Sequence, residues 1–301
     1  MLHSKKKIYN ELVALGLKKG MYVNLKCSYS SMGNIEGGPM SLIDVILDII
    51  KEKGLLVTDS FVKCYKIGSN EINSNKVDQH TKSYAGLIAN IILKHENCKR
   101  SHHPIQKFSL IGDEADNLSV EHNKNSYAYN ILKIMSEEKN SFNLKIGPQN
   151  KVLGVGTTHV ATGILNIEKY EQKLGVYFKN NNNKYELFER NWIGVCSQTL
   201  IDLNSFYRNN KSINLCENNV GNTTGLLTNM NETLKEELKL FRLSHNNLKC
   251  SNLYCYDCYT LKNNYKPLNF FLKNIVSLKV KNIAKLILND LNLQPSFKIK
   301  N

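Results

Sequence analysis

The segment Ser28-Tyr-Ser-Ser-Met-Gly-Asn-Ile-Glu-Gly-Gly-Pro39 combines residue types and spacing suited to gripping an anion. It follows the short apolar run Met21 to Cys27 and leads into a helical pattern that starts at Pro39. Gly33, Gly37 and Gly38 remove side-chain bulk and permit positive φ, so the backbone can approach a ligand closely. The N–H groups at the head of the following helix favour negative charge, and Ser30 and Ser31 add hydroxyls. A plain strand-to-helix turn would use the same residues. Further along, Arg100 offers a planar, permanently charged fork for phosphate or carboxylate, or else for a structural ion pair. His103 stands before Pro104, which holds it in an extended conformation.

A second constellation is Cys250-Ser-Asn-Leu-Tyr-Cys255-Tyr-Asp-Cys258. The Cys-x-x-Cys spacing lets two thiolates reach one tetrahedral metal, Cys250 supplies a third, and His245 or Cys216 a fourth. With four protein ligands and no open position, a zinc ion there would pin the C-terminal part of the chain and do no chemistry. Free thiols or a redox pair are the competing readings.

Four motifs stand in order: Ser30-Ser31-Met-Gly33 with Gly37-Gly38; Asp78-Gln-His-Thr81-Lys-Ser83-Tyr-Ala-Gly86; Arg100-Ser101-His102-His103-Pro104 with Gly112 beyond; and Leu153-Gly154-Val155-Gly156 with Thr162 beyond. On these, over roughly residues 8 to 200, the chain resembles the aminoglycoside 3-N-acetyltransferase (antibiotic N-acetyltransferase) family. The resemblance implies an α/β fold with a layered mixed sheet flanked by helices, distinct from the GNAT fold. It implies acetyl-coenzyme A as donor and an amino group of a sugar-like small molecule as acceptor. By the same resemblance Ser30, Ser31, Gly33, Gly37, Gly38, Arg100 and Ser101 would hold the cofactor. His103 and Thr162 would border the acceptor.

The chain also departs from that family. The family's general-base histidine, three residues after the threonine, corresponds here to Leu165, although the acid three further on is present as Glu168. His159 is the nearby candidate base, or else an ordinary polar loop residue. Lys107 stands where the family usually carries serine. A general base contributes roughly 10² to 10⁴-fold, whereas positioning two reactants contributes on the order of 7–11 kcal/mol. A relative without the histidine would retain weak transfer to a neutral amine, or serve as a ligand- or protein-binding module.

The elements that must position these groups alternate. Ser4 caps a helix through about Leu17 with Ile8, Leu12 and Leu15 on one face. Met21 to Cys27 reads as a strand, Pro39 opens a helix that Gly54 ends, and Leu55 to Phe61 is the next strand, a β–α–β order that points to a layered core. Tyr84 to Lys94 and Ala128 to Ser136 read as helices, and Asn70 to Thr81 and Arg100 to Phe108 as loops. Lys151 to Gly156 reads as a buried strand, and a helix or turn starts at Ala161. Gly175 to Lys179 and Lys184 to Phe188 form strands around an asparagine tip. Glu232 to Leu243 is helical. Residues 1–262 read as one acetyltransferase-like domain and 263–301 as a basic amphipathic helical tail. The tail docks on the core or touches a partner or a membrane surface.

The chain has 301 residues, a hydrophobic content of 42% and a net charge of +14. It can bury a substantial core. No apolar run reaches the length of a membrane span, and the N-terminus lacks the pattern of a secretory signal, so a cytoplasmic location is expected. Eight cysteines in such a chain read as free thiols before a disulfide framework. The basic balance favours anionic partners such as coenzyme A and disfavours a polycationic acceptor. Asp113, Glu114, Asp116 and Glu121 would counter this only if they formed an acidic cleft; otherwise they decorate a solvated helix face. Nucleic acid ranks last among partners, because no recognition motif accompanies the charge.

Overall fold

The structure, a computed structural model, describes residues 2–167, 173–180, 182–191, 194–251, 255 and 258. Glu168 and the tail expected over residues 263–301 lie outside the described residues.

A seven-stranded mixed sheet forms the centre. From one edge to the other its strands are Leu215–Val220, Thr223–Asn229, Ser141–Ile146, Tyr22–Cys27, Leu55–Asp59, Phe108–Gly112 and Lys99–Arg100. The three middle strands run parallel, with Tyr22 opposite both Leu55 and Ser141, and antiparallel pairs extend the sheet on each side. Alternation along the strands sends side chains to two cores. Val23, Leu25, Leu56, Leu144 and Ile146 meet the helices Lys5–Leu15 and Pro39–Ile50 on one face. Leu55, Val57 and Leu110 meet the helices Asn130–Glu137, Thr157–Ile164 and Met230–Leu243 on the other. The molecule is therefore the expected layered sheet between helices.

Local chemistry explains the element ends. Ser4 Oγ accepts from Lys7 N at the head of the first helix, and Gly16 at φ 110° closes it. Asn229 caps Met230–Leu243 by accepting from Glu232 N. A hairpin of Leu174–Lys179 and Tyr185–Glu189 forms a separate small sheet with Tyr65–Lys66.

One expected strand is not there. Residues 151–156 form a buried turn leading into a helix, with Gly154 at φ 44°. The strand that fills the sheet is Ser141–Ile146, just upstream. Val152 and Val155 are buried, which is what the apolar pattern reported; burial without a pairing partner does not make a strand. The helix expected over Tyr84 to Lys94 is confined to Leu87–Ile92, and the loop after Asn70 contains the short helix Asn70–Ser74.

Candidate functional site

Three parallel strands end together at Lys26–Cys27, Asp59 and Ile146, and open α/β sheets bind ligands outside such carboxyl ends. A cavity of about 420 Å³ lies there. Lys26 and Asp59 line it from the two central strands, Gln106 and Ile105 from the loop before Phe108–Gly112, and Tyr129 and His159 from the helical layer. Lys63, Arg190 and Gly194 complete its rim.

His159 sits in the first turn of the helix Thr157–Ile164, which Gly156 opens. A side chain on Gly156 would run into Leu132 and Asn24, so the helix packs directly on the sheet at this point. The His159 ring stacks on Tyr129 with centroids 4.5 Å apart and planes 10° from parallel. Its carbonyl is gripped twice, by Tyr127 Oη at 2.6 Å and Thr162 Oγ1 at 2.9 Å. Nδ1 is buried without a hydrogen-bond partner among the described residues. Burial, reinforced by Lys26 and opposed by Asp59, pushes the imidazole down to about 4, so it is neutral at pH 7 and its protonated form is disfavoured. Lys26 Nζ and Asp59 Oδ2 form an ion pair at 3.4 Å, half-buried at the mouth of the same cavity.

Thr162 thus faces its own helix and fixes His159; its hydroxyl is spent on that carbonyl. Leu165, expected from the resemblance to stand at the base position, caps the helix and packs against the apolar core.

The Arg100 guanidinium is turned inward. It donates to the carbonyls of Gln79 at 2.9 Å and Ser60 at 2.7 Å and also to that of Thr81. The expected phosphate fork is therefore occupied as a clamp between the strand end at Ser60 and the loop around Gln79. Ser101 Oγ accepts from Phe108 N at 2.9 Å and hydrogen-bonds His122 Nδ1 at 3.0 Å, fully buried. His103 Nδ1 accepts from Ile105 N and Gln106 N, and its ring stacks on His122 at 5.0 Å. Burial, then His122 and Lys107, push it down to about 2. Lys107 is buried beside them and reaches Gln79 Oε1 at 3.3 Å, its amine pushed down to about 7 by burial and Arg100. The Arg100–Pro104 segment thus shapes the wall from behind, presenting Ile105 and Gln106 to the cavity.

The serine–glycine loop lies at the same end of the sheet, immediately after Lys26–Cys27. Ser30 is exposed, and Ser31 bonds Ser28 Oγ at 2.9 Å and accepts from Lys151 Nζ at 3.4 Å. Two of the glycines serve packing: a Cβ on Gly33 would strike Asn222, and one on Gly37 would strike Ser41. Gly38, at φ 77° and ψ −163°, has open space where its Cβ would be, at the head of Pro39–Ile50. Neither this loop nor Arg100 lines the cavity that holds His159.

Sequence reasoning missed Lys26, Asp59, Gln106 and Tyr129. The signal for the first two was available, since each is polar at the carboxyl end of an apolar parallel strand. The acidic cleft does not form: Asp113, Glu114, Asp116 and Glu121 are exposed, and Asp113 and Glu114 act on Tyr22, at the opposite end of its strand from Lys26. Among the described residues, no helix is long and apolar enough to cross a membrane.

Known proteins share this fold. The SPbeta prophage-derived aminoglycoside N(3')-acetyltransferase-like protein YokD of Bacillus subtilis (strain 168) is 28% identical over 136 residues, 40% of this chain and 50% of that protein. The matched segment thus spans half the length of that curated relative. The solved structure of AAC-VIa bound to sisomicin superposes with a TM-score of 0.70 at 18% identity, over 81% of this chain and 98% of that one. AAC-IIIb in binary complex with CoASH gives 0.70 at 15% identity, over 81% and 97%. The model of the family described as aminoglycoside 3-N-acetyltransferase matches residues 25–235. With that match over well more than half its length, the chain belongs to the aminoglycoside 3-N-acetyltransferase family.

Proposed function

We propose that this protein transfers the acetyl group of acetyl-coenzyme A to an amino group of a small, sugar-like molecule bound in the cavity at the ends of the central strands. Acetyl-coenzyme A is the co-substrate of the family. The observation that carries the reading is the His159 imidazole, held by its stacked ring and doubly bonded carbonyl in the wall of that cavity beside Lys26 and Asp59.

The chemistry balances simply. The amine nitrogen attacks the thioester carbonyl carbon, the C–S bond breaks, and the attacking nitrogen loses one proton while the departing sulfur gains one. His159 takes the proton from nitrogen, which turns strongly acidic once it is bonded to the carbonyl carbon, so a weakly basic imidazole is enough. Lys26 offsets the negative charge that gathers on the carbonyl oxygen, and Gln106 adds polar lining. The open side of Gly38 and the exposed Ser30 leave the loop after Lys26 accessible to the carrier's phosphates.

The acceptor carries little positive charge. Lys26, Lys63 and Arg190 line the cavity against one carboxylate, Asp59, among the described residues. A polyamine would meet a field of its own sign there. Calorimetry with acetyl-coenzyme A followed by thiol release across a graded panel of amines tests this. Binding of the donor, with release fastest for mono-amino sugars and slower for each added ammonium, is expected. Release that grows with the number of amines contradicts the acceptor class, and absence of donor binding contradicts the activity.

A second reading rests on Leu165, which is packed where the family carries its base. The chain would then bind donor or acceptor without turning over. Donor binding with no thiol release from any amine would favour it.

A further inference from the structure

Four cysteines meet in one place although one of them is more than fifty residues from the rest. The sulfur atoms of Cys196, Cys250, Cys255 and Cys258 all lie within 4.8 Å of one another. We propose that they hold one zinc ion in a closed tetrathiolate site. The three C-terminal thiols were legible from their spacing; the fourth ligand is neither His245 nor Cys216 but Cys196. Cys216 is exposed on the edge strand Leu215–Val220 and is not among the clustered thiols.

The geometry fits a metal. Four sulfurs around zinc at the usual distance of about 2.3 Å sit about 3.8 Å apart. Cys196 and Cys255 approach to 3.5 Å, and Cys258 and Cys250 to 3.6 Å. These separations are near the edges of that tetrahedron and far outside the roughly 2.05 Å of a covalent sulfur–sulfur bond. Thiolate in a tetrahedral set selects zinc or iron over harder cations.

The surroundings are built for thiolate charge. Cys250 N donates to Cys258 Sγ at 3.2 Å, a hydrogen bond from the backbone that supports charge on that sulfur. Thr199 Oγ1 lies 3.7 Å from the same sulfur and is itself tied to Leu248 O at 2.9 Å. Ser251 N donates to Asp202 Oδ2 at 3.1 Å, fixing the C-terminal segment to the same helix. Cys250 and Cys258 are buried, and Cys196 and Cys255 half-buried, so the site is closed on most sides.

Its place in the fold gives it a task. Cys196 caps the helix Ser197–Asn209 and follows Gly194, which lines the catalytic cavity. Cys250 follows the turn His245–Leu248 that ends the Met230–Leu243 helix. An ion here ties the cavity's outer wall to the C-terminal segment. With all four positions filled by protein, it acts on structure and leaves the transfer chemistry to His159.

Metal analysis of the full-length protein, purified in reductant without chelator, tests the proposal independently of activity. One zinc per chain is expected, together with a thiolate-to-metal charge-transfer band and tetrahedral d–d absorption after exchange with cobalt(II). Cys196→Ser should lose at least half of the zinc, whereas Cys216→Ser should keep all of it. Should Cys196→Ser fail to fold, the zinc content and cobalt spectrum of the unmodified chain decide alone. Iron in place of zinc, fully reduced protein without metal, disulfides in these four residues, or undiminished zinc in a folded Cys196→Ser would each overturn the proposal.

Discussion

Two cations close to the strand ends take different parts. Arg100 and Lys26 both invite a phosphate or an oxyanion, yet the Arg100 guanidinium is consumed by backbone carbonyls of Ser60, Gln79 and Thr81. Lys26 keeps its ammonium at the cavity, paired with Asp59. Lysine at position 100 has no fork with which to reach three carbonyls. Arg100→Lys should therefore destabilise the fold by about 2–4 kcal/mol, since buried carbonyls lose charged partners. Scanning calorimetry reads this, and the KM for acetyl-coenzyme A in the folded fraction should change little. A variant as stable as the parent but with a sharply raised KM would instead make Arg100 a donor contact. Why the sequence misled here is physical: residue type reports what a guanidinium can bind, and only the path of the chain around Gln79 decides what it does bind.

At the scale of elements, the helix Thr157–Ile164 explains both what was legible and what was not. The expected start at Ala161 falls four residues inside it, because the turn of chain before it read as a strand while the true strand is Ser141–Ile146. His159 was visible as an imidazole; its entry into the cavity depends on Tyr129 beneath it and Tyr127 at its carbonyl, residues distant in sequence. Gly163 is the tightest point, because a Cβ there would collide with the Tyr127 hydroxyl. Gly163→Ala should push that hydroxyl off the His159 carbonyl and lower turnover about tenfold or more while leaving donor affinity unchanged; misplacement by a fraction of an ångström is enough. Tyr127→Phe removes the bond without the collision and should cost about 1 kcal/mol of stability. Equal turnover in both variants would separate this contact from function. The serine–glycine loop is the converse case. Its sequence suggested three glycines for a ligand, but packing against Asn222 and Ser41 accounts for Gly33 and Gly37, which leaves Gly38.

For the whole molecule, burial of imidazoles sets the response to acid. His103, His122 and His159 are pushed down to about 2, 4 and 4, with burial as the first cause in each. In the unfolded chain they titrate near pH 6.5, so the unfolded state binds protons that the folded state refuses. Their contribution is complete above pH 6.5 and is lost as pH falls through 4. Glu237 acts the other way. Full burial pushes it up to about 7 against the opposing hydrogen bonds from Thr158 and Tyr207, so its contribution, complete below pH 4.5, fades as pH rises through 7. Three groups against one predict a melting temperature that drops on acidification from pH 6.5 to 4, and His122→Gln should flatten that slope. A slope unchanged in the variant would assign acid lability to other groups. The layered architecture, the helices Lys5–Leu15 and Pro39–Ile50 with the strand Tyr22–Cys27, and the family motifs were readable because they rest on local periodicity and spacing. The cavity and the fourth thiol, Cys196, were not, since both depend on segments that only the folded chain brings together.

The central claim is that His159 is the proton acceptor of an acetyl transfer. Single-turnover thiol release, at saturating acetyl-coenzyme A and a mono-amino sugar, measures it most directly when the parent is set beside His159→Gln. The variant's rate should be lower by roughly 10² to 10⁴-fold with donor affinity and melting temperature preserved. Equal rates in the two proteins would contradict it.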